Sequence, residues 1–154
     1  MKAAFTLPAL TLLLSIAAAA AGEDRVAQLS KVTGSVTIRR DGGTVDTARQ
    51  QGPRVMNGSV FAGNVVATDP GGSATMLFTD GSTIDLKANT RLTVREIEGS
   101  PEAVKQQKRL GRVLKVFAGD VFAHVVPNPE VATEFETPSG VAAVKGTTLE
   151  LSVR

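Results

Sequence analysis

Residues 73–94 read SATMLFTDGSTIDLKANTRLTV, and this stretch contains three short alternating runs separated by turn residues. In each run apolar side chains occupy every second position, and Leu77 alone interrupts the polar side: Ala74, Met76 and Phe78, then Ile84 and Leu86, then Leu92 and Val94. This period of two predicts three β-strands with one apolar face. Asp80 and Gly81, between the first two runs, are a strong turn signal because both residue types tolerate a positive φ. Such a unit cannot bury its apolar face alone, so the rest of the chain is expected to cover it.

The composition fits one small domain. The chain has 154 residues, of which 42% are hydrophobic and only 4% aromatic, with no Trp, Tyr or Cys. The absence of Cys excludes a disulfide framework. The formal net charge is +2, and it falls to +1, with 16 basic and 15 acidic residues, once Lys2 is removed with the leader described next. The net charge alone therefore does not indicate which kind of partner the chain binds.

Residues 1–21 have the three parts of a secretory signal peptide. Lys2 gives a positive start, Leu7–Ile16 is an apolar run rich in Leu, and Ala17–Ala21 is a tract of small residues. A transmembrane anchor is the alternative, but the run is short and rich in Ala at its end for a spanning helix. We therefore predict cleavage after Ala21. No later apolar stretch has spanning length, so the mature chain is expected to be periplasmic or secreted, without a transmembrane helix.

Short strands are also predicted in the rest of the chain. We expect a strand over 32–38, a loop over 44–53, strands over 113–117 and 121–126 around a break at 118–120, and short strands between 141 and 153. Ser100 and Pro101 resemble a helix start, so a short polar or helical insertion is expected near 98–112. The fold class is therefore all-β. Sandwich, barrel and solenoid remain open, although the irregular spacing of the glycines argues against a strict solenoid repeat.

A family resemblance begins with residues 34–36 and 65–68, and it continues through three later groups of residues taken in order. They are the turn Asp80, Gly81 and Ser82 with Leu86, Asn89 and Leu92; the block 114–119, which ends at Gly119; and Lys145, Gly146 and Thr147, which follow Phe135 and Pro138. In order and spacing these groups resemble the FecR domain, the periplasmic module of iron-dicitrate-type cell-surface signalling regulators. The resemblance covers residues 32–153.

The resemblance implies a single all-β domain of many short strands, either β-solenoid-like or a rolled sheet. It also implies a non-enzymatic module that binds another envelope component. Signalling members of the family join this module to an inner-membrane helix with a cytoplasmic anti-sigma segment, and they contact an outer-membrane transporter. The present chain is predicted to have a cleavable leader instead, so it is expected to be either a domain-only exported protein or a fragment.

The reactive side chains favour a binding protein over an enzyme. His124 is the single His of the chain and Cys is absent, which excludes thiol catalysis and thiolate metal sites. His124 alternates with Phe122 and Val126 and is interpreted as a strand residue without chemistry. Glu134 and Glu136 share a strand face at a spacing that suits an acid and base pair, but a solvated face is the preferred interpretation. No catalytic, cofactor or metal residue is predicted.

Three features suit a binding surface. Lys145 beside Gly146 is a candidate for holding an anion. The terminal strand, 147–153, is expected to offer an exposed edge to a partner strand. A basic cluster is the third candidate, with a solvated loop as its plain alternative, and it consists of Lys105, Lys108, Arg109, Arg112 and Lys115. Nucleic acid is not expected there, because no aromatic residues are interleaved for stacking.

The sequence therefore predicts an exported, non-enzymatic binding module that acts through protein–protein contacts in envelope sensing or signal transduction. A carbohydrate-binding or cell-wall-associated module is the alternative, and the absence of Trp and Tyr weighs against it. No cofactor is expected. The identity of the partner and the oligomeric state do not follow from the sequence.

Overall fold

The computed structural model describes residues 25–98, 110–129 and 131–154, and within these ranges it consists of strands joined by turns. The strands are β1 Arg25–Thr33, β2 Val36–Arg39, β3 Val45–Gln51, β4 Arg54–Met56, β5 Ser59–Phe61, β6 Val65–Thr68, β7 Ser73–Phe78, β8 Thr83–Leu86, β9 Arg91–Glu98, β10 Leu110–His124, β11 Val131–Thr137, β12 Gly140–Val144 and β13 Thr148–Val153. The all-β class predicted from the sequence is confirmed. Across the same ranges, no helix has the length and apolarity needed to cross a membrane.

Backbone pairing joins these strands into one rolled sheet. The main path runs β4-β3-β2-β6-β9-β10-β8-β7-β1-β5, while β11 and β13 each pair with β10, and β12 pairs with β11. Among the described strand pairs, only β10 with β11 is parallel. A parallel β-helix stacks its strands in the same direction at a fixed period. The rolled sheet, one of the two predicted alternatives, is therefore confirmed.

Strand β10 takes part in both halves of the roll. Its first half pairs with β9 over Leu110–Ala118 and with β11 over Leu110–Lys115. Its second half, Gly119–His124, pairs with β8 and β13. The change of partners falls at Gly119, which has a φ of +95°. The break predicted at 118–120 is therefore a bend within one continuous strand.

Alternate side chains of the strands fill the inside of the roll. The central stretch forms β7, β8 and β9 as predicted, and its apolar face points into the core. Burying one large aliphatic or aromatic side chain stabilises the fold by roughly 1.5–3 kcal/mol. The largest fully buried side chains are Phe135, Leu29, Ile38, Met76, Ile84, Leu86, Leu92 and Leu114.

Two local predictions are wrong. The strand predicted over 32–38 is interrupted after Thr33, because Gly34 has a φ of +67° and packs against the backbone of Gly71 and Gly72. The loop predicted over 44–53 contains β3, in which Ala48 is the one fully buried residue. With a single buried position, β3 lacks the alternation by which a strand is recognised in a sequence.

Some predictions fall outside the described residues. They are the signal peptide over 1–21 and most of the insertion near 98–112. The described flanks of that insertion are strands, since β9 ends at Glu98 and β10 begins at Leu110. The domain boundaries 32–153 remain a prediction, and β1 brings residues from Arg25 onward into the sheet.

Candidate functional site

The turn between β7 and β8 is built by the first group of family-motif residues. Gly81 has a φ of +84° and donates its N–H to the carbonyl of Phe78 (3.1 Å). The Asp80 carboxylate accepts two hydrogen bonds from Ser82, from the backbone N–H to Oδ1 (3.0 Å) and from the hydroxyl to Oδ2 (3.1 Å). This Asp-Gly-Ser arrangement satisfies its own backbone, which explains why the sequence turns here.

A buried ion pair connects this turn to β10. Arg112 Nη2 donates to Asp80 Oδ2 at 2.7 Å, and the two side chains are 4% and 7% exposed. The Arg112 guanidinium also lies 4.0 Å from the centre of the Phe78 ring, where a cation is attracted by the ring face. Burial raises the pKa of Asp80, but the hydrogen bond from Arg112, the bonds from Ser82 and the charge of Arg112 outweigh it and hold the pKa below its ordinary value.

Ser82 extends the same network to the segment after β10. Ser82 is fully buried, and its Oγ accepts the backbone N–H of Val126 (3.1 Å). Asp80, Ser82, Arg112 and Val126 come from three separate parts of the chain, and we call them the Asp80 network. Because the network ties the β7–β8 turn to both sides of the bend in β10, these motif residues hold the fold together.

Gly119 and Gly146 allow two close backbone approaches. A Cβ at Gly119 would lie 2.4 Å from Thr90 Cα. Thr90 can approach because this Cβ is missing, and its hydroxyl donates to the Asp120 carbonyl (3.1 Å). At Gly146, which has a φ of +66°, a Cβ would lie 2.4 Å from Pro127 Cγ. Only glycine fits either position without displacement of a neighbour.

A groove of about 340 Å³ lies beside this second contact. Its walls are the segment Val125–Pro129, the start of β11 at Val131 and Ala132, and the segment Val144–Gly146. The Val125 N–H donates to the carbonyl of Thr147 (2.9 Å), so the wall that contains Val125 is held to the chain directly after the wall that contains Gly146. Lys145 is exposed and is the one charged side chain among the described residues that line the groove. The third group of motif residues therefore borders an apolar groove with a cation at its rim.

The predicted basic surface is only partly within the described residues. Lys105, Lys108 and Arg109 lie outside them. Including Arg112 in that surface was wrong, because Arg112 is 3% exposed and bonded to Asp80. Lys115 is three residues further along β10 and its ammonium lies 5.5 Å from the ring centre of Phe117, which is exposed. A strand turns residues at odd separations to opposite faces, so Arg112 and Lys115 cannot share a surface.

The other candidate residues lie on the outside of the sheet. His124 is exposed, and its Nδ1 is 3.2 Å from the hydroxyl of Thr148. Glu134 and Glu136 alternate on β11 as predicted, and Glu136 forms an ion pair with Arg95 (3.2 Å). In the part of the chain that the structure describes, no three His, Asp or Glu side chains come together as metal ligands.

The sequence interpretation missed the burial of Arg112 and of Thr133. Arg112 Nε and Nη1 and Thr133 Oγ1 are buried and have no hydrogen-bond partner among the described residues. Arg112 and Thr133 also pair across β10 and β11. One signal was present: Arg112 precedes Leu114 and Val116 at the alternate spacing of a core-facing strand.

The fold and the site define a small all-β module whose motif residues hold a rolled sheet and border an apolar groove. A family model described as FecR protein matches residues 64–154, more than half of the chain, and the chain belongs to this family. The predicted resemblance is therefore confirmed. Membership relates the chain to signalling regulators and implies interaction with signalling partners of the envelope.

The matched span contains the whole Asp80 network, Gly119 and the groove. The resemblance predicted for 32–63 lies before this span and remains a prediction. Neither the comparison with curated proteins nor that with solved structures gave a match.

Proposed function

We propose that this chain is an exported, non-enzymatic binding module that acts through protein–protein contacts in envelope sensing or signal transduction. Membership of the FecR family supports the link to signalling. The leader pattern over 1–21 supports export to the periplasm or beyond. The family-motif residues stabilise the fold and are not assigned a role in a reaction; they are Asp80, Gly81, Ser82, Gly119 and Gly146.

The groove beside Gly146 is the observation that carries the proposal. Concave apolar surfaces with a few polar groups are the usual binding sites of proteins. Here the apolar walls come from Val, Ala and Pro side chains, and Lys145 at the rim supplies one positive charge. The wall formed by residues 125–129 is anchored at two backbone N–H groups, since Val125 donates to the Thr147 carbonyl and Val126 donates to Ser82 Oγ. A partner segment with apolar side chains and one carboxylate would match this groove in shape and charge.

Crosslinking in cells tests the proposal. The tagged full-length chain would be compared with Lys145→Glu and with Lys31→Glu, a matched control because Lys31 is exposed on β1 away from the groove. We expect one dominant envelope protein to be recovered with the native chain and the control, and several-fold less of it with Lys145→Glu. Mass spectrometry of the mature N-terminus is expected to find Gly22.

Recovery of peptidoglycan or polysaccharide without a protein partner would overturn the proposal in favour of the carbohydrate-binding or cell-wall alternative. An intact leader on the recovered protein would overturn the predicted cleavage after Ala21 in favour of the transmembrane anchor.

A further inference from the structure

Strand β12 lies at an open edge of the rolled sheet. It pairs with β11 over Gly140–Val144, and no other described strand pairs with its second side. The backbone N–H and C=O groups on that side can therefore accept another strand.

Unlike the other edges, β12 has none of the usual protections against strand addition. Proteins protect edges with very short strands, charged side chains, Pro or bulges. The edge strands β4 and β5 have three residues each, and β13 carries the exposed Glu150. By contrast, β12 has five uncharged residues, GVAAV, pairs with β11 without a register shift, and leaves Val141 66% exposed.

The neighbouring side chains indicate which strand would fit. On β11, Glu134 lies directly opposite Ala143 and Glu136 directly opposite Val141. Glu136 is bonded to Arg95, whereas Glu134 is exposed and has no ion-pair partner among the described residues. A strand added to β12 would lie two strand spacings, roughly 10 Å, from β11. Since Ala143 is small, a long basic side chain on the added strand can reach across it to Glu134.

We propose that β12 accepts an extended segment of a partner protein as an additional strand, with an apolar side chain beside Val141 and a Lys or Arg beside Ala143. This inference rests on the proposed function and names the chemistry of the partner. Main-chain pairing supplies the affinity and the Glu134 contact supplies the selectivity, as in other cases of strand addition. Val144, the last residue of β12, also lines the groove at Lys145, so a partner bound at β12 lies next to that groove.

Peptide binding to the isotope-labelled full chain tests this inference. The probe is the acetylated and amidated peptide Thr-Lys-Thr-Val-Thr-Lys-Thr, which places a Lys beside Ala143 in either strand direction. The control peptide has Glu in place of both Lys residues. Amide NMR is expected to show shifts at Gly140–Val144, with the Lys peptide binding about two- to fivefold more tightly, the range of a cross-strand ion pair.

Charge reversal provides the matched variants. Glu134→Lys is expected to reverse the preference between the two peptides, whereas Glu150→Lys, the same change on the edge strand β13, should leave it unchanged. The inference is overturned if neither peptide binds, if the shifts map to β13 or β5, or if Glu134→Lys does not alter the preference. Concentration-dependent shifts at β12 without peptide would overturn it in favour of a second copy of the chain.

The peptide experiment and the crosslinking experiment can refute the strand addition and the proposed function separately. A partner captured through Lys145, together with no peptide bound at β12, would refute only the strand addition. Peptide binding without any protein partner in cells would refute the proposed function.

Discussion

Asp80 and Arg112 form an ion pair that is almost completely shielded from water. Two of the guanidinium nitrogens of Arg112 have no hydrogen-bond partner among the described residues. The Asp80 carboxylate is therefore the main compensation for a buried positive charge. Removing one member of such a pair is costly, because the other is left buried and uncompensated.

We expect Asp80→Asn to lower the free energy of unfolding by about 3 kcal/mol, since it leaves the Arg112 charge unpaired. Urea unfolding followed by circular dichroism measures this loss. Asp46→Asn is the matched control, because Asp46 pairs with Arg40 and both side chains are about 30% exposed. That variant should lose at most about 1 kcal/mol. Similar small losses in the two variants would contradict the role given to Asp80.

The same pair makes stability depend on acid pH. Because the pKa of Asp80 is lowered in the native state, its contribution is complete above the ordinary Asp value of about 3.9 and is lost as the pH falls through the lower native pKa. The difference in free energy of unfolding between the native chain and Asp80→Asn should therefore shrink as the pH is lowered from about 5 to about 2. Urea unfolding at each pH measures the difference. A difference that stays constant over this range would exclude Asp80 as the titrating group.

At this scale the sequence predicts turns better than burial. Asp80, Gly81 and Ser82 could be assigned to a turn because the interactions that fix them lie within three residues. The burial of Arg112 depends instead on which strands pair with β10, and its basic sequence neighbours suggested a surface. For the same reason the Asp80 network could not be inferred, since Ser82 and Val126 are 44 residues apart.

The bend of strand β10 depends on a single glycine. Gly119 lies at the bend where β10 exchanges its partners, and the missing Cβ admits Thr90. Thr90 is buried, and its Oγ1 both accepts from the Asp120 N–H (3.2 Å) and donates to the Asp120 carbonyl. The bend and the turn before β9 are thus formed together.

We expect Gly119→Ala to lower the free energy of unfolding by about 3 kcal/mol, because the positive φ is unfavourable for Ala and the added methyl overlaps Thr90. Gly42→Ala separates the two effects, since Gly42 has a similar φ of +93° and no atom within 4 Å of the added Cβ. It should lose only about 1 kcal/mol. Thermal or urea unfolding measures both, and equal losses would show that the approach of Thr90 does not matter.

The alternation of side chains explains which strands could be predicted. Strands β7, β8 and β9 have a buried and an exposed face, so their sequences alternate and their positions were correct. Strand β3 pairs with β2 and β4 but buries only Ala48 fully, so its sequence reads as a loop. The bend at Gly119 read as a break, because a bent strand and two separate strands leave the same pattern.

For the molecule as a whole, sharing β10 between the two halves should produce a single unfolding transition. The first half of β10 completes the part that contains β9 and β11, and the second half completes the part that contains β8 and β13. Unfolding one part would remove pairing from the other, so the domain should unfold as one unit.

We therefore expect the amide signals of β2 and β6, in one half, and those of β7 and β8, in the other half, to disappear at the same urea concentration. NMR is the suitable probe, because the chain has no Trp or Tyr for fluorescence. Two separate midpoints would show that the halves are independent and that β10 does not couple them.

The all-β class could be predicted from the sequence, but the strand pairing that forms the rolled sheet could not. Short alternating runs and frequent turn residues identify an all-β chain regardless of which strands pair with one another. Which strands become edges depends on pairing between distant segments, so the predicted edge at 147–153 could not be ranked against β12. Only the order of the strands shows that both lie at edges and that β12 lacks protecting charges.

The most direct test of partner binding is photocrosslinking in cells at three edges of the sheet. A photoreactive residue would replace Val141 on β12, Ser152 on β13 or Met56 on β4, one at a time, in the tagged full-length chain. We predict that one envelope protein is captured from position 141, that Glu134→Lys lowers its yield, and that positions 152 and 56 capture little of it. Equal capture from all three edges, capture from position 152 alone, or capture of no protein from any edge would contradict strand addition at β12.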